Sequence, residues 1–431
     1  MINKFPRFKY FIGFSFLFKK LFTLLLTKNK NDSYGSQTQT LLSSLTNRDH
    51  TLFFSSYRMG VYFYLKSLKL PRGTEVLLTP ITIPDLVNVI LNLDLVPVFC
   101  DMDLENHSLC INSLDKNISN KSKVLIITPL SGCYSKGEDI VSYAKEKELF
   151  VIEDISQVYG IPHLHSSSDV MIGSLSSGKA LTSFTGGFLS TNQISSYQNI
   201  KNDKEYKSLL PPPKIRFLFE LFDNFKILLA TNSLIFNYFT FNILKLILSI
   251  RPNFFKKIHE TKFLTRSPDK DVFFDDLPIL RKSLPKSWFT YFSKWQSGVL
   301  LSCCHQLTRI SKRRIELSKL LFEHLHSNVI EHIPKGFHDF ETNCYYHLPI
   351  YTDQISSADI SSLMFHAGLD NDGYGLNLCT EEEVFKEFHS KTPHAFRIKK
   401  NCVFIPLHES YSNSEVITIA QKLNYIFDKE P

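Results

Sequence analysis

The chain has 431 residues, of which 43% are hydrophobic and 21% charged, a composition typical of globular rather than disordered proteins. This length allows two or three domains. The net charge of +7 favours anionic partners, but without an arginine-rich arm or Cys/His finger spacing we expect no nucleic-acid binding. The eight cysteines form no CxxC pair, which is typical of free thiols in a reducing compartment such as the cytoplasm.

The amino terminus is basic and aromatic, with no acid before Asp32. Lys19 and Lys20 divide its apolar run and no small-residue cleavage site follows, so a signal peptide or a spanning helix of ~20 apolar residues is disfavoured. We expect residues 4–30 to lie in a membrane interface, with lysines at the lipid head groups; a helix packed on the protein's own body is the alternative. The Ser/Thr/Asn/Gln-rich residues 31–48 are predicted to form a linker.

From Leu52 onward, short apolar runs alternate with segments of helical spacing. This alternation predicts an α/β fold, with a mostly parallel sheet and helices on both faces, in which ligands bind at the carboxyl ends of the strands. The predicted strands are Thr74–Ile81, Val96–Asp103, Lys123–Leu130, Phe150–Ser156 and Val170–Leu175. The predicted helices are Met59–Leu68, Pro84–Leu93 and Glu138–Glu148.

The strand that contains Asp154 is followed by a lysine, Lys179, in a Ser/Gly-rich loop that ends at Gly186-Gly187. A pyridoxal 5'-phosphate site requires a lysine that forms a Schiff base and an acid that keeps the pyridine nitrogen protonated. A solvated surface lysine and a helix-capping acid are the alternatives for either residue alone.

A turn at Ser55–Arg58 begins the first of these helices and is a candidate phosphate site, because free amide groups and a guanidinium suit an anion. A surface salt bridge is the alternative for Arg58. Ser174 and Ser176 stand at the end of the next predicted strand, and we expect them at the same edge of the sheet.

Residues 205–285 break the strand–helix pattern. Ile227–Ile250 carries one charge, Lys245, and is long enough to span a bilayer, although its three asparagines lower the hydropathy. We favour a hairpin in the membrane interface; a helix pair in a subunit interface or in the core is the alternative. The flanking cations that support the hairpin are Lys214, Arg216, Lys226, Lys245, Arg251, Lys256 and Lys257.

Helical spacing from Trp295 towards His326 predicts one long helix that leads into a smaller C-terminal α/β domain. His408 in that domain is either structural or substrate-facing. The predicted domain elements are strands Tyr346–Tyr351 and Val403–Leu407 and a closing helix, Ser414–Phe427. The predicted units are 1–48, 49–205, 206–285 and 286–431.

Several motifs in this order resemble the DegT/DnrJ/StrS-type sugar aminotransferases, which are fold-type-I pyridoxal phosphate enzymes. The resemblance covers about residues 52–192 well and 286–430 loosely. The motifs are Gly-Thr-Glu-Val (73–76) with Pro-Ile-Thr (80–82), Pro-Val-Phe-Cys-Asp-Met-Asp (97–103), Glu-Asp-Ile-Ser-Gln (153–157), and the spacing of Asp169, Ser174, Lys179 and Gly186-Gly187.

The resemblance implies that Lys179 is the Schiff-base lysine, that Asp154 pairs with the pyridine nitrogen and that Gln157 contacts the ring substituents. It also implies that Ser174 binds the cofactor phosphate with help from Ser56 to Arg58. The implied activity is transfer of an amino group, commonly from glutamate, to a keto sugar on a carrier, by a homodimer. We expect a cytoplasmic enzyme that is peripheral at the inner face of the membrane.

Two differences from the family leave other functions open. Ile83 stands where the family often has an aromatic residue, and Thr185 stands where it has an acid. They motivate the alternative of a non-catalytic scaffold that kept the fold. A cofactor-dependent condensation on a lipid is a third hypothesis, whereas Lys179 argues against the dehydratases of the same family, in which a histidine replaces the lysine.

Overall fold

The structure is a computed structural model that describes residues 3–26, 35–161, 167–250, 278–351, 356–373 and 375–428. A seven-stranded sheet forms its centre. The strands in chain order are β1 (His50–Phe54), β2 (Glu75–Leu78), β3 (Ile81–Thr82), β4 (Val96–Phe99), β5 (Ser122–Ile127), β6 (Phe150–Asp154), β7 (Val170–Ser174), β8 (Gly187–Thr191), β9 (Leu348–Tyr351), β10 (Asn377–Leu378) and β11 (Cys402–Ile405).

The central sheet has the order β1-β8-β7-β6-β5-β2-β4, and its strands from β4 to β7 are parallel. Strand β8 runs antiparallel to both β7 and β1. The predicted α/β class with a mostly parallel sheet is confirmed. All five predicted strands are present, each shorter than predicted and two of them, β2 and β4, at half the predicted length, whereas β1 and β8 were not predicted.

Both faces of this sheet are buried, because side chains alternate between two apolar layers along each strand. Val76, Val124 and Ile152 face the layer that contains helices 57–67 and 84–91. Leu77, Leu125 and Val151 face the layer that contains helices 111–117 and 137–146. Polar side chains therefore gather beyond the strand ends, which is where a site forms.

The helices include the three predicted ones. They are α1 (Phe14–Leu26), α2 (Gly35–Thr46), α3 (Tyr57–Ser67), α4 (Pro84–Leu91), α5 (Ile111–Asn117), α6 (Gly137–Glu146), α7 (Ile194–Asn202), α8 (Lys204–Lys207), α9 (Lys214–Ala230), α10 (Ser233–Ile250), α11 (Lys294–Cys304), α12 (Leu307–His324), α13 (Ser327–Ile330), α14 (Ser357–His366), α15 (Pro393–Asn401) and α16 (Asn413–Phe427).

The predicted linker 31–48 is wrong for residues 35–46, which form α2. The buried side chains of α2 are Thr38, Leu42 and Thr46, which recur every four residues and so share one face. Gln39 donates to the backbone oxygen of Thr51 on β1 at 3.1 Å. Because only one of the three buried side chains is apolar, the composition resembles a linker although the spacing is helical.

The predicted single helix from Trp295 to His326 is two helices, α11 and α12, which are separated at His305 and Gln306. The break lets them pack against different clusters. Cys303 near the end of α11 contacts the cluster around α1, and Ile310 in α12 contacts the cluster beneath β7. Beyond α12, β9 and β11 lie where two strands were predicted, and they pair antiparallel.

The N-terminal helix α1 packs on α9 and α11 through one face only. Leu17 and Leu24 are buried there, and the ammonium group of Lys20 donates to the Gly298 oxygen and to the Ser302 hydroxyl, both at 2.7 Å. Lys20 therefore does not face lipid head groups, which corrects the prediction for that residue. The opposite face is apolar and exposed and consists of Phe18, Phe22, Leu25 and Leu26.

The apolar run Ile227–Ile250 is not one helix, because α9 ends at Ala230 and the Asn232 side chain caps α10. Helix α10, which is π-helical at Phe236–Thr240, is long and apolar enough to cross a membrane by length and composition alone, and little of it is buried. The predicted flanking cations Arg251, Lys256 and Lys257 lie outside the described residues.

Candidate active site

A cavity of about 350 Å³ lies at the carboxyl ends of β6 and β7 and the start of α3. Every residue predicted for the site lines this cavity: Ser56, Arg58, Asp154, Gln157, Ser174 and Lys179. The fold thus brings together side chains that are more than 120 positions apart in sequence (56 to 179). Ile83 and Thr185, the two differences from the family, also line it.

Asp154 is the last residue of β6, and its carboxylate accepts a hydrogen bond from the Ser156 amide at 2.9 Å. Burial raises the pKa of this carboxyl group, while Ser156, the charge of Lys179 and the hydroxyl of Tyr57 partly offset that effect. A cation placed against Asp154 in the cavity would favour the ionised carboxylate, which is the property needed to pair with a protonated ring nitrogen.

Lys179 is half-buried in the loop between β7 and β8. The loop is held by a hydrogen bond from the Ser177 amide to the Phe184 oxygen at 2.9 Å, and Gly178 provides its turn with a φ of +86°. The Lys179 ammonium group lies 4.7 Å from the ring centroid of Tyr346. Tyr346 lies just before β9 and was not predicted as a site residue, because no local motif marks it.

Serine side chains form a hydrogen-bonded group at the end of β7. The Ser174 amide donates to the Ser156 hydroxyl at 2.8 Å, and the hydroxyls of Ser174 and Ser176 are 3.0 Å apart. Both Ser174 and Ser176 line the cavity, where hydroxyl groups of this kind are suited to a phosphate.

Gln157 is oriented by its side-chain oxygen, which accepts from the Ser131 amide at 2.7 Å. Its backbone oxygen accepts from the Cys344 thiol at 3.2 Å. This packing requires glycine at position 132, where φ is +88° and a Cβ would lie 2.7 Å from the Tyr346 nitrogen. Gln157 and Tyr346 are therefore held by one closely packed junction between the segment after β6 and the segment before β9.

The predicted phosphate turn lies directly against β8. Gly187 of that strand permits the close approach, because a Cβ at position 187 would lie 2.5 Å from the Tyr57 nitrogen. Ser56 caps α3 without a side-chain hydrogen bond to the helix. Arg58 forms an ion pair with Asp85 and lies 4.7 Å from the Trp288 ring centroid. Arg58 is thus paired, as the alternative hypothesis expected, but the pair is largely buried rather than on the surface, and Arg58 also lines the cavity, so its phosphate role stays a prediction.

Helix α9 of the insertion contributes to the same cavity through Arg216 and Glu220. Arg216 donates to the Thr185 hydroxyl, and Asn224 donates to the Ser177 hydroxyl at 2.9 Å. The prediction that Arg216 is an outward-facing cation of a membrane hairpin is therefore wrong. The signal for its true position is the four-residue spacing of Arg216, Glu220 and Asn224, which places the three on one face of the helix.

A second cavity of about 350 Å³ shares Gln157 and Lys179 with the first and is lined by the N-terminal residues Arg7 to Phe11. Arg7 forms ion pairs with Asp370 at 2.7 Å and Asp372 at 3.0 Å, so it does not face lipid as predicted. His408 also lines this cavity, which favours the substrate-facing interpretation, and burial lowers its pKa to about 4.

The segment of the chain that carries this site is similar to a known protein family. Residues 24–203 match the model of the DegT/DnrJ/EryC1/StrS aminotransferase family, so the resemblance predicted from the sequence is confirmed. This part of the chain, which carries Asp154 and Lys179, is thus similar to that family.

Two curated relatives illustrate the match. The chain is 27% identical over 172 residues to the GDP-perosamine synthase of Escherichia coli O157:H7, covering 38% of this chain and 47% of that protein. It is 24% identical over 147 residues to the spore coat polysaccharide biosynthesis protein SpsC of Bacillus subtilis (strain 168), covering 33% of this chain and 38% of that protein. The chain therefore spans less than half the length of these curated relatives.

Solved structures match over the whole chain at low identity and so establish the fold. The structure of NtdA from Bacillus subtilis with bound cofactor PMP has a TM-score of 0.70 at 16% identity and covers all (100%) of this chain and 86% of that one. The structure of Helicobacter pylori PseC, an aminotransferase involved in the biosynthesis of pseudoaminic acid, has a TM-score of 0.69 at 14% identity, covering 99% of this chain and 100% of that one. The expected fold-type-I architecture is confirmed.

Proposed function

We propose that the protein is a pyridoxal 5'-phosphate-dependent aminotransferase. It transfers an amino group, from glutamate as donor, to a keto sugar on a nucleotide or lipid carrier in the synthesis of a surface polysaccharide or glycoconjugate. The observation that carries this proposal is that Lys179 and Asp154, the amine and the acid that the chemistry requires, line one cavity of about 350 Å³.

The residues of the cavity fit the cofactor. When bound, pyridoxal phosphate supplies an aldehyde that takes up an amino group and a ring that accepts an electron pair. Lys179 would provide the amine that holds the aldehyde, and its free amine would be a base for a proton on the substrate carbon. Asp154 stabilises positive charge on the ring nitrogen, and the serine hydroxyls and α3 amides suit the phosphate.

The names of the relatives support the substrate class. They include a GDP-perosamine synthase and the UDP-4-amino-4-deoxy-L-arabinose--oxoglutarate aminotransferase of Shewanella sediminis (strain HAW-EB3), which matches 34% of this chain at 26% identity. The second cavity beside Lys179 provides space for a substrate next to the cofactor.

Cofactor spectroscopy tests the proposal. Purified protein loaded with pyridoxal phosphate should show the visible absorbance of lysine-bound cofactor, and glutamate should convert that band to the amine form. A panel of keto-sugar nucleotides should then restore it. Stable cofactor binding with no response to any amino donor would contradict the enzyme and favour the scaffold that Ile83 and Thr185 motivate.

We also propose that the protein is cytoplasmic and binds the inner, anionic face of a membrane through α1, α9 and α10. Their exposed apolar side chains include Phe18 and Phe22 on α1, Phe222 on α9, and Leu246 on α10. Exposed lysines, among them Lys19 and Lys245, are available for acidic head groups.

Vesicle flotation tests this membrane contact with point substitutions that leave the cavity intact. Wild-type protein should float with vesicles that contain acidic lipid, and less so at high salt, because screening weakens the contribution of the lysines. The combined variant F18S/F22S/L246S should float less. Equal flotation of wild type and variant would contradict this surface as the contact.

A homodimer is the third part of the proposal, and the family resemblance supports it. Sedimentation velocity of the holoenzyme should give a mass of two chains. A monomer that retains full transaminase activity would contradict it.

A further inference from the structure

The insertion helix α9 has one polar face in an otherwise apolar sequence. Arg216, Glu220 and Asn224 recur every four residues, and each lies against the Lys179 loop or lines its cavity. The remaining positions of α9 are mostly apolar, and several of them, such as Phe219 and Phe222, are exposed. The polar face of α9 therefore belongs to the cavity, although the insertion as a whole is hydrophobic.

Two arginines from distant parts of the chain meet at this cavity. Arg58 belongs to the turn that starts α3, and Arg216 belongs to α9. Burial lowers the pKa of Arg216 to about 10, Glu220 opposes this effect, and the positive charge of Arg58 adds to it. The two guanidinium groups are therefore close enough to repel each other. Each also has a carboxylate beside it, Asp85 for Arg58 and Glu220 for Arg216, and an anion bound between the guanidinium groups would relieve their repulsion.

The Glu220 carboxylate also lines the cavity, but three other groups around the guanidinium pair suit an anion. The first amides of α3 have no partner within their own helix, and the Ser56 side chain makes no capping hydrogen bond. Thr185 accepts from Arg216 without adding a negative charge. An acid at position 185, as in the family resemblance, would instead neutralise part of the charge of Arg216.

We propose that Arg216 is a cofactor-binding residue that, with Arg58 and the start of α3, holds the phosphate group of the cofactor. This inference rests on the proposed function, because the phosphate is that of pyridoxal phosphate. The insertion is then part of the cofactor site of its own subunit, and the charge that holds the phosphate comes from the same chain as Lys179.

Binding of pyridoxal phosphate and of pyridoxal, which lacks the phosphate, to cofactor-free protein tests the inference by calorimetric titration. R216Q should weaken binding of pyridoxal phosphate by about tenfold to a hundredfold, the effect expected for a charge-assisted hydrogen bond. Binding of pyridoxal should not change. R216K keeps the positive charge and should lose less affinity for pyridoxal phosphate than R216Q. If R216Q does not fold, the comparison of R216K with wild type replaces it.

The matched control is K226Q, because Lys226 lies on the same helix, outside the cavity, and pairs with Asp223 at 2.6 Å. It should bind both compounds as wild type does. Equal affinity of wild type and R216Q for pyridoxal phosphate would overturn the inference, and so would an equal loss for both compounds. If wild type binds neither compound, the proposed function itself fails, and the inference fails with it.

Discussion

The central sheet and the apolar helices α1, α9 and α10 use their hydrophobic residues in different ways. Strands such as β5 and β6 are buried on both faces, and Asp154, the polar residue that ends β6, lies at the carboxyl edge of the sheet, where the cavity forms. The helices bury one face and expose another that carries large apolar side chains. Burial explains the apolar residues of the sheet, but it does not explain those on the exposed faces of the helices.

Helix α9 shows both arrangements, because one of its faces lines the cavity and another face is exposed. Arg216 and Glu220 face the cavity, whereas Phe219 and Phe222 are exposed. Side chains near the sheet are therefore constrained by the packing around the cavity. The exposed apolar face of the helices is not constrained in this way, so it is available for a second contact. Substitutions in the two regions should therefore have different consequences.

The largest effect is expected for Lys179→Ala, which removes the amine from the cavity. We expect the transamination rate to fall by at least about 10²- to 10⁴-fold, the usual contribution of a positioned proton-transfer group. Steady-state kinetics with glutamate measures it. Lys201→Ala, an exposed change in α7, is the control and should keep wild-type activity. Retention of activity in Lys179→Ala would remove the main reason for assigning the cavity to this chemistry.

The second effect concerns the junction that holds Gln157 and Tyr346. Gly132→Ala forces a side chain into a position where φ is +88° and a backbone nitrogen lies 2.7 Å from the new Cβ. We expect a loss of about 1–3 kcal/mol or more in the free energy of unfolding, measured by denaturant titration. Gly298→Ala in α11 is the matched control, because nothing lies within 4 Å of its Cβ.

Gly298→Ala should stabilise the protein by about 0.5–1 kcal/mol, because glycine is unfavourable inside a helix. A small loss for Gly132→Ala, similar in size to the gain for Gly298→Ala, would mean that the junction is looser than the structure indicates.

The sheet and the loop at Lys179 were predictable because their signals are local: apolar runs, an acid at a strand end and a lysine among small residues. Tyr346 was not predictable, because its role depends on which distant element the fold brings to the cavity. Arg216 had a local signal, the polar helix face that it shares with Glu220 and Asn224, but that signal does not identify what the face packs against. Helix α2 was missed for a different reason. Its buried Thr38 and Thr46 are polar in sequence, so composition indicated a linker where the tertiary contacts determine a helix.

The third effect is a loss of stability in acid. Burial lowers the pKa of His107 and of His347 to about 3, and that of His408 to about 4, whereas an unfolded histidine titrates near its usual value. The unfolded state therefore binds more protons below about pH 6.5, and the free energy of unfolding should fall by about 2 kcal/mol per histidine between about pH 7 and pH 5.

His107→Asn should reduce that fall by about one histidine's share. Asparagine suits the position because φ there is 53°. Denaturant titrations at both pH values measure the difference, and exposed His305→Asn is the control that keeps the full fall. An unchanged pH dependence in His107→Asn would mean that this ring is accessible to protons in the folded protein.

The smallest effect on folding is expected for the exposed face of α1. Phe18→Ser and Phe22→Ser alter side chains that are 60% and 63% exposed, so each should change the free energy of unfolding by no more than about 0.5 kcal/mol. Leu24→Ala on the buried face of the same helix should cost about 2–5 kcal/mol, because its side chain is 1% exposed and packs between α9 and α11.

This pair of results would separate folding from the second contact within one helix. If Phe18→Ser and Phe22→Ser leave the free energy of unfolding unchanged and reduce vesicle flotation, the exposed face contributes to membrane binding and not to folding stability. If instead they destabilise the protein as much as Leu24→Ala, the face is covered in solution by the protein itself. The helices would then bury both of their faces in a dimer, as the sheet does within one chain, and they would differ from the sheet only in needing a second chain to do so.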